Sequence, residues 1–202
     1  MLLDASDLVA RRPRRWPVLG RVAEDLRAAY ERDPALHGGR VAELVLYPGL
    51  WAIWTYRVAH LLWVHRVPWL PRLLSQVARL LTGIEIHPGA RLGRRCFIDH
   101  GMGVVIGETA EVGDDVTIFH GVTLGARGWW RDDKGAKRHP TIGDRVILGA
   151  GCSVLGPVTI ASGCRVGAHA LVVGDLPEGT TVTAPPAVAH VKCQPQLLDY
   201  EI

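Results

Sequence analysis

The residues of this chain best suited to chemistry fall in two adjacent pairs, Asp99-His100 and Arg138-His139. A histidine whose unperturbed pKa is about 6.5 takes a proton from a hydroxyl near neutral pH, so His100 is a candidate general base. Arginine presents a planar fork of donors that fits a carboxylate at two points, so Arg138 is a candidate anion clamp. The 9 histidines include no compact metal motif such as HExxH, and no metal is expected. The 4 cysteines, Cys96, Cys152, Cys164 and Cys193, form no CxxC pair. They read as free thiols in a reducing cytosol, mostly small buried hydrophobes. An isolated Asp-His pair is commonly a surface feature, so the weight falls on what positions these residues.

Before residue 83 the pattern is helical. Leu19, Val22, Leu26 and Tyr30 recur at helix spacing and predict a helix that stops at the Asp33-Pro34 step. Residues 44–64 and 73–81 predict two more, with Pro71 near the start of the last. Arg57, His60, His65, Arg66 and Arg72, with Pro48, Pro68 and Pro71, interrupt the apolar stretch, so no membrane span is expected. The N-terminus lacks the apolar core and cleavage site of a signal peptide. A net charge of +3 is too small to argue for nucleic acid, and Arg11, Arg12, Arg14 and Arg15 read as a solvated arm.

From Ile86 a six-residue beat takes over. Ile86, Leu92 and Ile98 keep it, then it slips by two residues directly after Asp99-His100. It resumes at Ile106, Val112, Ile118 and Leu124, is lost from 125 to 141, and returns at Ile142, Leu148, Val154, Ile160, Val166 and Val172. This period belongs neither to a helix nor to an alternating strand. It fits a chain coiling as a triangular parallel β-helix, one short strand per side and one turn per corner, each rung burying its neighbour's apolar face. The expected fold is therefore α+β: a helical domain at 1–82, a β-helix at 83–182 with a protruding loop at 125–141, and a tail at 183–202. Repeats break where function needs an irregular backbone, which singles out the slip beside His100.

Four strings carry a resemblance: 31–35 (Glu31-Arg32-Asp33-Pro34-Ala35), 83–90, 97–110 with Asp99-His100-Gly101-Met102-Gly103 at its centre, and 137–143 opening on Lys137-Arg138-His139-Pro140. Together they resemble the serine O-acetyltransferases, hexapeptide-repeat acyltransferases that move acetyl from acetyl-CoA to the L-serine hydroxyl in cysteine biosynthesis. The resemblance implies a left-handed coil, an exception to the usual crossover hand, and trimers with active sites in the grooves between neighbouring coils. It implies His100 as base, oriented by a carboxylate at Glu85, where the family has Asp. It places Asp33 and Asp99 on the ammonium and hydroxyl of serine, Arg138 on its carboxylate and His139 beside the substrate. Acetyl-CoA is expected along small-residue turns near Gly125, Ala126, Gly149-Ala150 and Gly167-Ala168. His87, His120 and His169 read as corner or surface residues.

The chain departs from that pattern in places. The loop carries Trp129-Trp130, bulkier than usual, and Ala184 and Val188 stand where the family has Gly and Arg. The helical segment is short, so trimer and hexamer both remain open. Alternatives are a hexapeptide acetyltransferase for homoserine or a sugar, and a non-catalytic partner of O-acetylserine sulfhydrylase. The resemblance implies L-cysteine as feedback inhibitor, a cytoplasmic location, and Ile202 as an anchor for O-acetylserine sulfhydrylase, whose site would take the terminal carboxylate. No nucleic-acid or membrane partner is expected.

Overall fold

The computed structural model describes residues 18–35, 40–128, 135–186 and 188. Helix α1 (Val18–Arg32) ends where the sequence places its stop, with Asp33 N–H bonded to Ala29 O at 3.0 Å. The helix expected over 44–64 is broken. A 3-10 helix (Arg40–Leu46) runs into extended Tyr47, and α2 (Pro48–Val64) starts anew. The cause is Pro48, which disfavours a helical residue before it yet suits the first helical position, where its missing N–H is not needed. Helix α3 (Leu70–Thr82) ends on Gly83, whose left-handed φ of 73° closes the last turn.

The remainder is a parallel β-helix with three faces. Face A stacks β1 (Glu85–Ile86), β4 (Val105–Ile106), β7 (Thr123–Gly125), β10 (Ser153–Leu155) and β13 (Leu171–Val172). Face B stacks β2 (Arg91–Leu92), β5 (Glu111–Val112), β8 (Thr141–Ile142) and β11 (Thr159–Ile160). Face C stacks β3 (Phe97–Ile98), β6 (Thr117–Ile118), β9 (Ile147–Leu148), β12 (Arg165–Val166) and β14 (Thr181–Val182). Each aliphatic of the six-residue beat points inward and is at most 7% exposed. A second inward line lies two residues earlier in each hexad, among them Ala90, Cys96, Val104, Val116, Cys152 and Cys164, all fully or almost fully buried. The beat alone does not show it, because these smaller residues vary in type. Cys96, Cys152 and Cys164 are free thiols in this line, and burial pushes Cys96 and Cys152 up to about 12. Cys193 lies outside the described residues.

The first rung has no rung beneath it, and an open sheet edge leaves backbone groups without partners. The helices supply them. The Tyr56 hydroxyl donates to Ala90 O at 2.6 Å and accepts from Leu92 N at 3.1 Å. Ser75 Oγ donates to Ile86 O at 2.8 Å, and Arg32 donates to Arg95 O at 3.0 Å. Between the helices, Arg57 donates twice to Asp25, at 3.0 and 2.8 Å, with side chains only 6% and 0% exposed. Burial raises the Asp25 carboxyl against the pull of Arg57. Removing one partner strands the other charge in the interior. Arg57→Ala is therefore expected to lower unfolding stability by about 3–5 kcal/mol in a denaturant titration, while Asp25→Leu combined with Arg57→Met recovers most of that loss. Equal stability of wild type and Arg57→Ala would remove the pair from the fold's supports.

Candidate active site

The two-residue slip after Ile98 has a direct structural result. At the corner from face C to face A, the stacked residues are Gly103, Gly121, Gly151 and His169, all with positive φ. Their N–H groups donate to Gly83, Met102, His120 and Ala150 of the preceding rung. His100 and Gly101 are the surplus, with φ of 57° and 75°, and Gly101 N–H turns back to Asp99 O at 2.6 Å. Gly101 needs to be glycine, since a Cβ there would come within 2.3 Å of Ile84 Cδ1. The surplus pushes His100 off the wall of the coil, and its side chain is 77% exposed. Its Nε2 stands 3.8 Å from Asp99 Oδ1, too long for a hydrogen bond and close enough for a small rotation to make one. His120, one rung on, lies edge-on to His100 with ring centroids 6.1 Å apart.

The pairing of His100 with Glu85 is not made. Glu85 Oε2 sits 3.4 Å from Arg79 Nε instead, because α3 ends beside the first strand and presents Arg79 to it. Asp99 is the carboxylate that the structure sets beside His100. Asp33 also carries contacts the sequence does not reveal. The Tyr47 hydroxyl donates to its Oδ2, and its Oδ1 accepts from Ala35 N at 2.7 Å. Asp33 follows the end of α1, where Ala29 clusters with Leu44, Leu50 and Phe97 of β3, so it lies on the side of the coil that leads into Asp99.

Arg138 and His139 belong to a different corner, from face A to face B. They precede β8, stacked on Glu108-Thr109 between β4 and β5. Thr109 organises this corner. Its Oγ1 accepts from Arg138 N and His139 N, both at 3.0 Å, and shares a 2.8 Å contact with His139 Nδ1. Thr109 N–H donates to the same Nδ1 at 3.1 Å, so in the neutral ring the proton lies on Nε2. His139 is 8% exposed, and its ring lies on Gly107, where a Cβ would meet Nε2 at 2.1 Å. Arg138 donates to Glu108 through one guanidinium nitrogen. Burial pushes the Glu108 carboxyl up, but Arg138 and His87 outweigh it and leave it below its ordinary value. His87, one rung down, is lowered to about 4 by burial and by Arg72, so it is neutral at physiological pH. Spacing along the chain hides Thr109 and Glu108. Only the stacking of rungs brings them under Arg138.

Thus the sequence-predicted residues form two groups on opposite edges of face A, His100 with Asp99 on one and Arg138 with His139 on the other. The expected acetyl-CoA turns divide the same way. Ala150 and Ala168 stack above the His100 corner, while Gly125 and Ala126 leave face A toward the Arg138 corner. Trp129, Trp130 and Ile202 lie outside the described residues. Among the described residues, no group of His, Cys, Asp and Glu is placed to hold a metal ion.

Residues 139–174 match the family described as bacterial transferase hexapeptide (six repeats). The chain is 52% identical over 171 residues to a serine acetyltransferase of Mycobacterium tuberculosis, covering 85% of this chain and 72% of that one. It is 52% identical over 167 residues to a serine acetyltransferase of Helicobacter pylori, covering 83% and 95%. Among solved structures it resembles serine acetyltransferase isoform 3 of Entamoeba histolytica in complex with cysteine, with TM-score 0.79 and 38% identity over 87% of this chain and 61% of that chain. It also resembles the soybean enzyme complexed with serine, with TM-score 0.77 and 42% identity over 85% and 68%. The third is a Brucella abortus serine acetyltransferase in complex with coenzyme A, with TM-score 0.77 and 36% identity over 84% and 66%. These matches fit a helical segment followed by a left-handed β-helix.

Thr109→Val keeps the shape of the Thr109 side chain and removes its hydroxyl. We expect the KM for the hydroxyl substrate to rise about tenfold, with a far smaller effect on the KM of the acyl donor. Steady-state kinetics varying each substrate in turn checks this; equal effects on both would detach Thr109 from the Arg138 corner.

Proposed function

Since the chain belongs to the serine acetyltransferase family, we infer that it transfers the acetyl group of acetyl-CoA to the hydroxyl of L-serine, giving O-acetylserine for cysteine biosynthesis. His100 accepts the serine hydroxyl proton as the oxygen attacks the thioester carbonyl. The tetrahedral intermediate then expels the thiolate of CoA, which recovers the proton from His100. Asp99 stands beside the base. Glu85 is the second acid for that ring, and reaching it means exchanging Arg79 for His100. The exchange is cheap, since the Arg79 side chain is 57% exposed and exposed ion pairs contribute about 0–1 kcal/mol. Asp33 and Asp99 receive the serine ammonium and hydroxyl, Arg138 its carboxylate, and His139 stands beside the substrate. L-Cysteine carries the same charged ends and occupies the same groups as a feedback inhibitor.

One observation carries this reading: the base and the carboxylate clamp lie on opposite edges of face A, so a complete site needs the His100 edge of one copy against the Arg138 edge of another. The same division of Ala150 and Ala168 from Gly125 and Ala126 supports acetyl-CoA lying in that groove. We take the assembly to be a trimer, which pairs such unlike edges head to tail and closes. Trimers pair into a hexamer only if the short helical segment suffices. We further propose the division into a helical domain at 1–82, the coil at 83–182 and the tail at 183–202, with the repeat interrupted at 125–141. A cytoplasmic location follows from the reaction's place in metabolism. Among the described residues no helix is long and apolar enough to cross a membrane.

The test is complementation. His100→Ala loses about 10²–10⁴-fold in kcat with serine, and Arg138→Ala raises the KM for serine far more than that for acetyl-CoA. Co-expressed, the two variants recover about a quarter of wild-type activity, because random mixing rebuilds that fraction of the interfaces. Absence of recovery in mixed assemblies would place the whole site within one copy.

The tail supports a second partner. Leu197-Leu198-Asp199-Tyr200-Glu201-Ile202 alternates acidic and apolar residues up to an aliphatic side chain suited to an apolar pocket. Ile202 is proposed to seat in O-acetylserine sulfhydrylase. Deleting Ile202 alone abolishes binding in calorimetry and leaves acetyl transfer intact; unchanged affinity would refute the contact.

A further inference from the structure

Asp33 is held on both of its carboxylate oxygens. Oδ1 accepts from Ala35 N at 2.7 Å, an ordinary turn that closes the end of α1. Oδ2 accepts from the hydroxyl of Tyr47, which follows the 3-10 helix. A helix C-terminus is an unfavourable place for a carboxylate, because the last carbonyls carry partial negative charge. The end of α1 also has an anchor of its own: Arg32 donates to Arg95 O at 3.0 Å and pairs with Asp115 at 2.6 Å. The tie from Tyr47 to Asp33 is therefore not needed to hold α1 on the coil.

Tyr47 is itself fixed. Pro48 follows it and keeps its backbone extended, at φ −69° and ψ 114°. Its half-buried ring packs against the cluster of Ala29, Leu44, Leu50 and Phe97. Two residues on, α2 is pressed against the strand that leads into the site: a Cβ on Gly49 would come within 2.3 Å of Ile98 O. Ile98 directly precedes Asp99. One rigid path thus runs from Asp33 through Tyr47 and Gly49 to Ile98 and Asp99, and it joins the two carboxylates on this side of the coil.

We propose that Tyr47 is a positioning residue for the substrate: its hydroxyl sets the Asp33 carboxylate at a fixed place relative to Asp99, ready for the ammonium of the amino acid. The proposal rests on the reading that Asp33 and Asp99 receive the ammonium and hydroxyl of serine. Asp99 stands beside the base, 3.8 Å from His100 Nε2, and so faces the hydroxyl, which leaves the ammonium to Asp33. An ionised carboxylate has about four lone-pair positions. Ala35 and Tyr47 take two of them, and two remain for an ammonium. A carboxylate aimed by two fixed donors loses little freedom when the ligand arrives, so the gain falls on affinity for the amino acid and not on the chemical step. The Tyr47 hydroxyl has a single hydrogen, engaged by Asp33, so it acts through that side chain and donates nothing to the substrate.

The test compares Tyr47→Phe, Asp33→Ala and the double variant in the full chain, by steady-state kinetics and thermal unfolding. Phenylalanine keeps the ring and its packing and removes only the hydroxyl. Tyr47→Phe is expected to raise the KM for L-serine about tenfold, with kcat and the KM for acetyl-CoA within about twofold of wild type and the unfolding temperature little changed. Asp33→Ala raises the same KM further. In the Asp33→Ala background Tyr47→Phe adds no further rise, because the tie acts only through that carboxylate. A raised KM in Asp33→Ala beside an unchanged one in Tyr47→Phe overturns the positioning role and leaves the Asp33 reading standing. An unchanged KM in Asp33→Ala overturns that reading and the proposal with it. Additive effects in the double variant would mean that Tyr47 acts elsewhere than on Asp33. A lower unfolding temperature in Tyr47→Phe, with kcat and both KM values disturbed together, would make the tie a support of the fold. Either of these last results overturns the proposal.

Discussion

The stacking of rungs governs everything else in this molecule. Each rung donates its N–H groups to carbonyls of an adjacent rung, so residues at the same position of successive rungs lie directly over one another. Ile86, Ile106, Leu124, Val154 and Val172 form one such column on face A. Inside, the columns are apolar. The pairs Asp99-His100 and Arg138-His139 lie at corners where the repeat is broken, while Glu85 stands on strand β1. The first rung obeys the same rule by other means, with hydroxyls of Tyr56 and Ser75 standing in for the missing rung.

Two breaks serve the site, and both flank face A. At one edge the surplus His100-Gly101 lifts an imidazole off the wall while the columns above and below stay in register. At the other, the chain leaves after β7 and returns at β8, so that Arg138 and His139 arrive over Glu108-Thr109. Neither break disturbs the core, because Ile98, Ile106, Leu124 and Ile142 all remain inward and buried. A single coil keeps its two edges apart, which is the physical reason for proposing that the site lies in a groove between copies.

The coil was legible because its period is unlike that of any other regular structure, and the slip beside Asp99-His100 was legible for the same reason. Less was readable where the signal came from one residue acting on its neighbours. Pro48 splits the predicted helix, although the apolar pattern runs straight through it. The inward line of Ala, Val and Cys is hidden by its variety. Glu85 was matched to His100 by resemblance alone, and the proximity of Arg79 follows from how α3 enters the coil, which no spacing encodes. Thr109 and Glu108 lie far from Arg138 in sequence and directly under it in space.

The Arg138 corner carries a last electrostatic consequence. A guanidinium offers five donors, and here one nitrogen is engaged by Glu108 while Thr109 fixes the backbone behind it. The carboxylate therefore aims the fork and also neutralises it. A bare substrate carboxylate arriving at Arg138 meets a cation already balanced by an anion, so charge alone would favour it little. What remains is geometry: the rest of the Arg138 fork, with His139 on the same corner. On the proposed reading, a substrate that also brings an ammonium to the Asp33 and Asp99 side restores the balance with its own second charge. In the proposed site, selectivity for a free amino acid over a simple acid or a sugar would come from charges divided between the Arg138 corner and the Asp99 corner, rather than from the strength of either alone.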